Sequence, residues 1–415
     1  MAGEKLQAPR GTFDVLPDDG GERLRLQRDW EALAERHGYR PIETPIFEAT
    51  ELFARGVGET TDIVEKEMFT FEDQGGRTLT LRPEGTASVC RAYIQHGMQK
   101  WPQPVKLWYW GPFFRYEAPQ AGRYRQFSQV GAEALGSDDP SLDAELILML
   151  CELVAAGGAR GVRLRISSLA TPTTRREYSD ELREYLRARE DQLSDDVRAR
   201  LDRNPLRAFD SDHPSTREVL RDAPKLMDRL NEDDAAHFAE VRALLDAAGQ
   251  EYEVDGTLVR GLDYYTRTVF ELTSDALGAQ SGLGGGGRYD LLVEQLGGPP
   301  TPGVGWAAGI ERILLAAGRA ASATAPDVFI AVLDGAHRRA AFLLARELRK
   351  LDRRVEMDQA GRSAKGQLRH ADRLGVGVVV KLTREGISVR DMHSGREESV
   401  ATEDDAIRLA NEWLA

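Results

Sequence analysis

Phe114-Arg115-Tyr116-Glu117, the polar loop Ala118–Gly122 and Arg123-Tyr124-Arg125-Gln126-Phe127 decide how this chain folds. The segment joins two β-rich runs, of which the first includes Val105-Lys106-Leu107-Trp108-Tyr109-Trp110. Between Thr78 and Leu135 such runs alternate with polar turns, which predicts antiparallel sheet rather than βαβ units. An arginine on a strand beside a hairpin suits a phosphate, which its planar fork grips with two hydrogen bonds. Interleaved aromatics would add stacking on bases. The competing reading is a cross-strand Arg–Glu ladder on an exposed face. Spacing alone leaves both open.

Upstream, Arg23 to His37 predicts a helix, because Leu26, Trp30 and Leu33 recur at i, i+4 and i+7 and Gly38 follows as a cap. A Pro-punctuated extended segment runs from Tyr39 to Phe47. Downstream, Leu142 to Ala156 is an apolar helix, and Thr171 to Gly249 turns to charged helix-forming sequence that reads as an insertion. Strand signals return at Val269-Phe270-Glu271-Leu272. The small-residue stretch Ala316 to Pro326 reads as a linker. Beyond it, strands at Val328–Leu333, Arg354–Met357, Val376–Leu382 and Ile387–Asp391 alternate with helices at Ala336–Leu351, Ser363–Leu374 and Glu403–Leu414. That pattern is a separate α/β domain.

The chain has 415 residues, enough for two or three domains. Its 55 Lys+Arg against 68 Asp+Glu give a net charge of −13, which excludes a polycation wrapping nucleic acid. Charge is uneven, however: Arg338 to Arg373 holds 11 basic and 5 acidic residues, a solvated helix face or a phosphate-contacting patch. With two cysteines and no CxxC, neither a disulfide framework nor a thiolate zinc site is expected. No apolar run reaches the ~18 residues of a membrane span, so the expectation is a cytoplasmic protein with no membrane partner.

Two further stretches carry chemistry. In Ser281-Gly282-Leu283-Gly284-Gly285-Gly286-Gly287-Arg288-Tyr289-Asp290, a G-x-G-x-x-G pattern follows a strand. A dinucleotide site would need a second strand soon after, yet Gly297-Gly298-Pro299-Pro300 breaks the chain instead. A glycine-rich strand and turn allowing close backbone approach of a ligand is the better reading. In Gly303-Val304-Gly305-Trp306-Ala307-Ala308-Gly309-Ile310-Glu311-Arg312-Ile313, small residues alternate along a strand before Glu-Arg opens a helix. Such a face can lie flat under a planar ring while the arginine reaches a terminal phosphate; a tightly packed strand–helix junction explains it equally.

Taken together, these segments resemble the three signature motifs of class II aminoacyl-tRNA synthetases. Gly38-Tyr39 through Ile42 to Pro45-Ile46-Phe47 is similar to motif 1, Phe114 to Phe127 to motif 2, and Gly303 to Ile313 to motif 3. Arg260-Gly261-Leu262-Asp263-Tyr264-Tyr265-Thr266 resembles the histidine-binding signature of the histidyl-tRNA synthetase family, and Arg82-Pro83-Glu84-Gly85-Thr86 and Gly286-Gly287-Arg288-Tyr289-Asp290 fit the same family. The family's usual Q-F-H-Q is here Gln126-Phe127-Ser128-Gln129, and Ala118 replaces a commonly basic residue before Pro119-Gln120.

The resemblance implies an α+β fold: an antiparallel-sheet catalytic domain (1–170 and 257–318) with a helical insertion (171–256), plus an α/β anticodon-binding domain (326–415). It implies ATP-dependent ligation of L-histidine to its tRNA through histidyl-adenylate, with Mg²⁺ as cofactor, no assigned metal ligands, and a homodimer built on motif 1. By the same resemblance Arg260 and Arg115 are catalytic. Glu84, Gly85, Thr86, Gln129, Glu133, Arg260, Tyr264 and Tyr265 bind histidine, with Glu133 and the two tyrosines facing the imidazole. Arg115, Glu117, Arg123, Phe127 and Arg312 bind ATP. The alternative is a paralogue that keeps this fold as a regulatory subunit of ATP phosphoribosyltransferase. Such paralogues typically lack the anticodon domain and erode the Arg260–Tyr265 block.

Overall fold

The computed structural model describes residues 5–58, 61, 63–278, 281–318 and 325–414. The chain divides into two compact units, Met1–Ala321 and Ser322–Ala415. In chain order the strands of the first unit are β1 (Arg40–Pro41), β2 (Phe47–Ala49), β3 (Thr70–Glu72), β4 (Thr78–Leu81), β5 (Val105–Phe114), β6 (Gln126–Leu135), β7 (Val162–Ser168), β8 (Glu253–Val254), β9 (Thr266–Ser274), β10 (Gly282–Arg288) and β11 (Gly303–Gly309). Eight of them form one sheet in the order β1-β5-β6-β11-β10-β9-β7-β8, and β2, β4 and β3 form a small separate sheet. From β5 to β7 every neighbouring pair is antiparallel. The hairpin expected around Arg115 is the β5–β6 pair, in register from Val105↔Leu135 to Phe114↔Gln126.

The glycine run is strand β10, hydrogen-bonded on both sides. A Cβ on Gly286 would lie 1.9 Å from the Gly305 carbonyl oxygen, and one on Gly284 would lie 2.5 Å from the Ala308 Cβ. Only glycine lets β11 come this close. This is why the pattern is a strand and not a phosphate loop.

Helix Pro17–Arg36 begins before the expected Arg23, because Pro17 occupies a first-turn position where its missing N–H costs nothing. It buries Leu26, Trp30 and Leu33 as expected, with the Trp30 ring 5.2 Å from that of Trp306 on β11. One segment departs from the antiparallel reading: Thr86–Gln95 is a helix. Its Val89, Cys90, Tyr93 and Ile94 resemble strand sequence, but the Glu84 carboxylate accepts the Thr86 and Ala87 N–H groups and caps its first turn. Within residues 171–256, strand β8 is preceded by helices Pro172–Arg187, Asp195–Arg200, Pro214–Arg221 and Glu232–Ala247. The last of these adds Phe238, Val241 and Leu245 to the core formed with Leu146 and Leu150 of helix Pro140–Ala156.

The second unit has strands β12 (Val328–Val332), β13 (Val355–Met357), β14 (Val378–Thr383), β15 (Gly386–Asp391) and β16 (Glu397–Val400), in the order β13-β12-β14-β15-β16. Helices Arg338–Lys350, Ala364–Leu374 and Glu403–Trp413 complete it. Strand β16 was not anticipated: it is a charged, half-exposed edge paired only with β15. The expected linker is helix up to Ala317, and its residues 319–324 lie outside the described residues.

Two buried polar nodes hold the sheet under the site. In the first, Arg288 and Asp143 are both fully buried and joined by paired hydrogen bonds of 2.9 and 2.7 Å, which tie the end of β10 to helix Pro140–Ala156. In the second, the fully buried Glu133 carboxylate on β6 meets three hydroxyls: Thr86 at 2.7 Å, Tyr109 at 3.2 Å and Tyr289 at 2.5 Å. Burial pushes the Glu133 carboxyl up to about 8, against the pull of the Tyr289 and Thr86 hydroxyls.

Arg288→Met should therefore cost about 3–5 kcal/mol, since it strands a buried carboxylate, and pairing it with Asp143→Leu should recover much of that loss in urea titrations. Glu133 makes a second prediction. A carboxyl whose folded pKa lies above its unfolded value binds more protons when folded, so its contribution to stability falls as pH rises from about 4.5 to about 8. The wild-type melting temperature should decline over that window more steeply than that of Glu133→Gln. Parallel profiles would show that Glu133 does not titrate this way.

Candidate active site

A cleft of about 300 Å³ opens over the middle of the large sheet. Its walls come from the Glu84–Thr86 turn, the β5–β6 hairpin, the segment before β9, the glycines of β10, the end of β11 and the helix Ile310–Ala317 that follows. Of the residues singled out in the sequence, Glu84, Gly85, Thr86, Arg115, Glu117, Arg123, Phe127, Gln129, Arg260, Tyr264, Tyr265 and Arg312 line it. Glu133 does not. It lies beneath the floor, engaged by three hydroxyls, and reaches the cleft only through Thr86.

The reason lies in β11. The alternating small residues expected to form one flat face split into two functions. A Cβ on Gly305 would lie 1.7 Å from Glu133 Oε2, and one on Gly303 would lie 2.4 Å from the Tyr289 ring. These two glycines make room for the buried node, and only Ala307 and Gly309 face the cleft.

The arginines are held at one end and aimed by the fold. Arg115 donates Nε–H to the Pro83 carbonyl at 2.9 Å and lies over the Phe127 ring, 5.5 Å from its centre. Burial pulls its pKa below the ordinary arginine value; Glu67 and Glu84 oppose this and neighbouring Arg260 reinforces it. Arg123 pairs with Glu117. Burial and the charge of Arg123 likewise lower the pKa of Arg312. Arg260 donates to Glu271 at 3.0 Å, and its Nε is buried with no acceptor among the described residues. Its carboxylate partner is thus Glu271 on β9, while the neighbouring Asp263 accepts from Asn204. Four arginines gathered in one cleft, two of them already holding carboxylates, suit a polyanion that exchanges for or adds to those contacts.

At the other end the donors and acceptors suit a small zwitterion. Glu84 keeps its carboxylate in the wall while capping a helix; burial raises its pKa and the two backbone N–H groups oppose the rise. The Tyr264 and Tyr265 rings stand 4.8 Å apart beside it, and Tyr264 donates to Glu84 at 3.5 Å. Gln129 Oε1 is buried and accepts no hydrogen bond from any described residue. An unmet buried acceptor costs about 1–3 kcal/mol, which a ligand N–H would recover.

Several functional residues escaped sequence reading. Glu271 is one inward position on an ordinary alternating strand. Glu311 pairs with Arg23 at 2.9 Å and accepts the Ser128 N–H at 3.0 and 3.1 Å. Ser128, where the family commonly has histidine, is therefore packed into an Arg23–Glu311 contact. Arg82 turns away from the cleft and binds the Pro112 and Thr44 carbonyls at 2.9 Å.

Known protein families match both parts of the chain. The histidyl-tRNA synthetase family matches residues 11–313, and an anticodon-binding domain family matches residues 327–410. The chain is 48% identical over 407 residues to histidine–tRNA ligase of Rubrobacter xylanophilus, covering 95% of this chain and 96% of that protein. The crystal structure of apo histidyl-tRNA synthetase from S. aureus superposes with a TM-score of 0.81 at 38% identity, over 99% of this chain and 100% of that one. A Bacillus halodurans protein described as an ATP phosphoribosyltransferase regulatory subunit/histidyl-tRNA synthetase gives 0.67 at 24% identity, over 91% of this chain and 98% of that one, a likeness of fold alone. The chain belongs to the histidyl-tRNA synthetase family.

Proposed function

We propose that the chain is a histidine–tRNA ligase: it activates L-histidine with ATP and transfers the histidyl group to its tRNA. The observation that carries this reading is the meeting of Arg115, Arg123, Arg260 and Arg312 in one cleft with the unmet Gln129 acceptor and the Glu84–Thr86 turn. One end suits a triphosphate and the other an amino acid. On this reading residues 1–170 and 257–318 are the catalytic part, 171–256 an insertion and 326–415 the anticodon-binding part. In the second unit, Arg338, Arg339 and the exposed Phe342 border a broad cavity, a combination suited to phosphate and base contacts.

In the first step a histidine carboxylate oxygen attacks the α-phosphorus, the bond to the β-phosphate oxygen breaks and pyrophosphate leaves. Arg115 holds the α-phosphate, and Arg123 and Arg312 hold the outer phosphates. Arg260 bridges the histidine carboxylate and the α-phosphate, cancelling the repulsion between two anions and stabilising the charge that builds on the phosphorus. Glu84, Thr86 and Gln129 orient the ammonium group, and Tyr264 and Tyr265 the imidazole. In the second step a terminal ribose hydroxyl of the tRNA attacks the adenylate carbonyl and releases AMP.

Among the described residues no three His, Cys, Asp or Glu side chains cluster to cage a metal. Mg²⁺ is usually held by substrate phosphates with one or two carboxylates, and Glu117 and Glu271 in the cleft would supply them. The ion would neutralise charge on the β- and γ-phosphates. A homodimer is supported by the small sheet, whose edge strands leave Phe47 and Phe71 about half exposed, with their rings 6.2 Å apart and the half-exposed Ile46 just before β2.

Histidine-dependent exchange of pyrophosphate into ATP tests the activity, and a folded protein without it would refute the reading. Arg260→His should lower kcat for adenylate formation by about 10²–10³-fold with a much smaller change in KM, the scale for losing one preorganised charge. Unchanged kcat with a lowered melting temperature would instead make Arg260 structural. Phe47→Glu should shift the protein toward monomer in sedimentation experiments, and an unmoved dimer would place the subunit contact elsewhere.

A further inference from the structure

Leu26 and Trp30 are fully buried on the inner face of helix Pro17–Arg36, and Arg23 shares that face one and two turns earlier. The Trp30 ring against Trp306 of β11 fixes the helix, and with it the place of Arg23. The Arg23 guanidinium donates to Glu311 Oε1 at 2.9 Å through one nitrogen and to the Ser128 hydroxyl through the other. Glu311 in turn accepts the Ser128 N–H on both oxygens. With side chains only 22% and 12% exposed, the Arg23–Glu311 pair is poorly screened by solvent.

Glu311 lines the cleft and Arg23 does not. Arg23 faces a separate cavity of about 270 Å³ together with Asp19 and Glu22, of which Glu22 is held by Arg25 at 2.9 Å. The carboxylates of the cleft are each engaged differently. Glu84 caps a helix, Glu117 pairs with Arg123 and Glu271 with Arg260, whereas Glu311 takes its cation from Arg23, outside the cleft. Glu311 immediately precedes Arg312, whose stem packs over Gly309 at the end of β11, 3.2 Å from where a Cβ would stand. Deprived of Arg23, the Glu311 carboxylate would be an unmatched anion in the wall of a cleft suited to a polyanion, able to turn inward and compete for its arginines.

We infer that Arg23 is a positioning residue for ATP: it neutralises Glu311 and holds that carboxylate on the side away from the cleft, so that the triphosphate meets the arginines without a further competing anion. The inference rests on the synthetase reading for the identity of its ligand. It acts on the phosphate end and leaves the Glu84–Thr86 turn, where the amino acid is read, untouched.

The test compares the full-length protein with Arg23→Met, measuring Kd for MgATP by calorimetry and KM for ATP and histidine in pyrophosphate exchange. Kd and KM for ATP should rise about tenfold, the scale of one unmatched charge near a polyanion, while KM for histidine changes by less than about twofold. Arg23→Lys keeps the charge and should recover most of the loss. Glu311→Gln placed in the Arg23→Met background should also restore ATP affinity, because it removes the anion that Arg23 controls. A purely structural Arg23 gives a different result: a lowered melting temperature, unchanged ATP affinity in the folded protein and no rescue by Glu311→Gln. An unchanged Kd in folded Arg23→Met, or a double variant that stays as weak as the single one, overturns the inference. Should Arg23→Met not fold, Arg23→Gln replaces it, since an amide keeps a donor for Glu311 and loses the charge. Exchange by the wild-type protein is scored separately. If that protein binds ATP without histidine-dependent exchange, the synthetase reading falls and the ATP comparison still decides the role of Arg23; if it does not bind ATP, both fall.

Discussion

One buried carboxyl organises the catalytic unit. Glu133 is contacted by Thr86 at the head of a helix, Tyr109 on β5 and Tyr289 just past β10, three elements far apart in the chain. Desolvating a carboxyl is unfavourable unless its oxygens are fully met, so the hydroxyls and the space they occupy are mutually required. Gly305 and Gly303 leave room for Glu133 and Tyr289, and Gly85 and Gly131 leave room for the Tyr109 ring. The glycines that look like a ligand surface are in large part the negative image of this node.

Above it, geometry converts into chemistry. Thr86 belongs to the node through its hydroxyl and to the Glu84 cap through its N–H. A residue fixed twice holds the turn that lines the amino-acid end of the cleft. At the arginine-lined end, Arg260 keeps a buried Nε with no acceptor among the described residues while its other nitrogen holds Glu271. A fixed turn at one end and gathered arginines at the other are what the proposed two-substrate condensation needs from one cavity.

Much of this was legible in the sequence, and the failures have physical causes. The β5–β6 hairpin follows from alternating runs around a polar loop, and the helix at Leu26, Trp30 and Leu33 from its period. Helix Thr86–Gln95 was hidden because its cap comes from Glu84, a carboxylate that reads as a binding residue. The family resemblance implies that Glu133 addresses the imidazole; in the structure its carboxyl meets three hydroxyls and does not line the cleft. Its burial depends on hydroxyls supplied from distant positions, which periodicity cannot see. Glu271 and Glu311 escaped for the same reason, since each acquires its role from an arginine brought beside it by tertiary packing.

The wall formed by Gly282, Gly284 and Gly285 on β10 with Ala307 and Gly309 on β11 has a further consequence. These positions carry no rotatable side chain, and the backbone of Gly284, Gly285 and Ala307 pairs with a strand on each side, while Gly282 pairs with β9 and Gly309 with β6. A flat group settling on that surface freezes almost no protein torsions. The usual entropic loss of about 0.5–1.5 kcal/mol for each immobilised flexible side chain does not arise. Recognition on this wall is therefore close to rigid-body contact, and discrimination among planar rings falls to the groups around its rim.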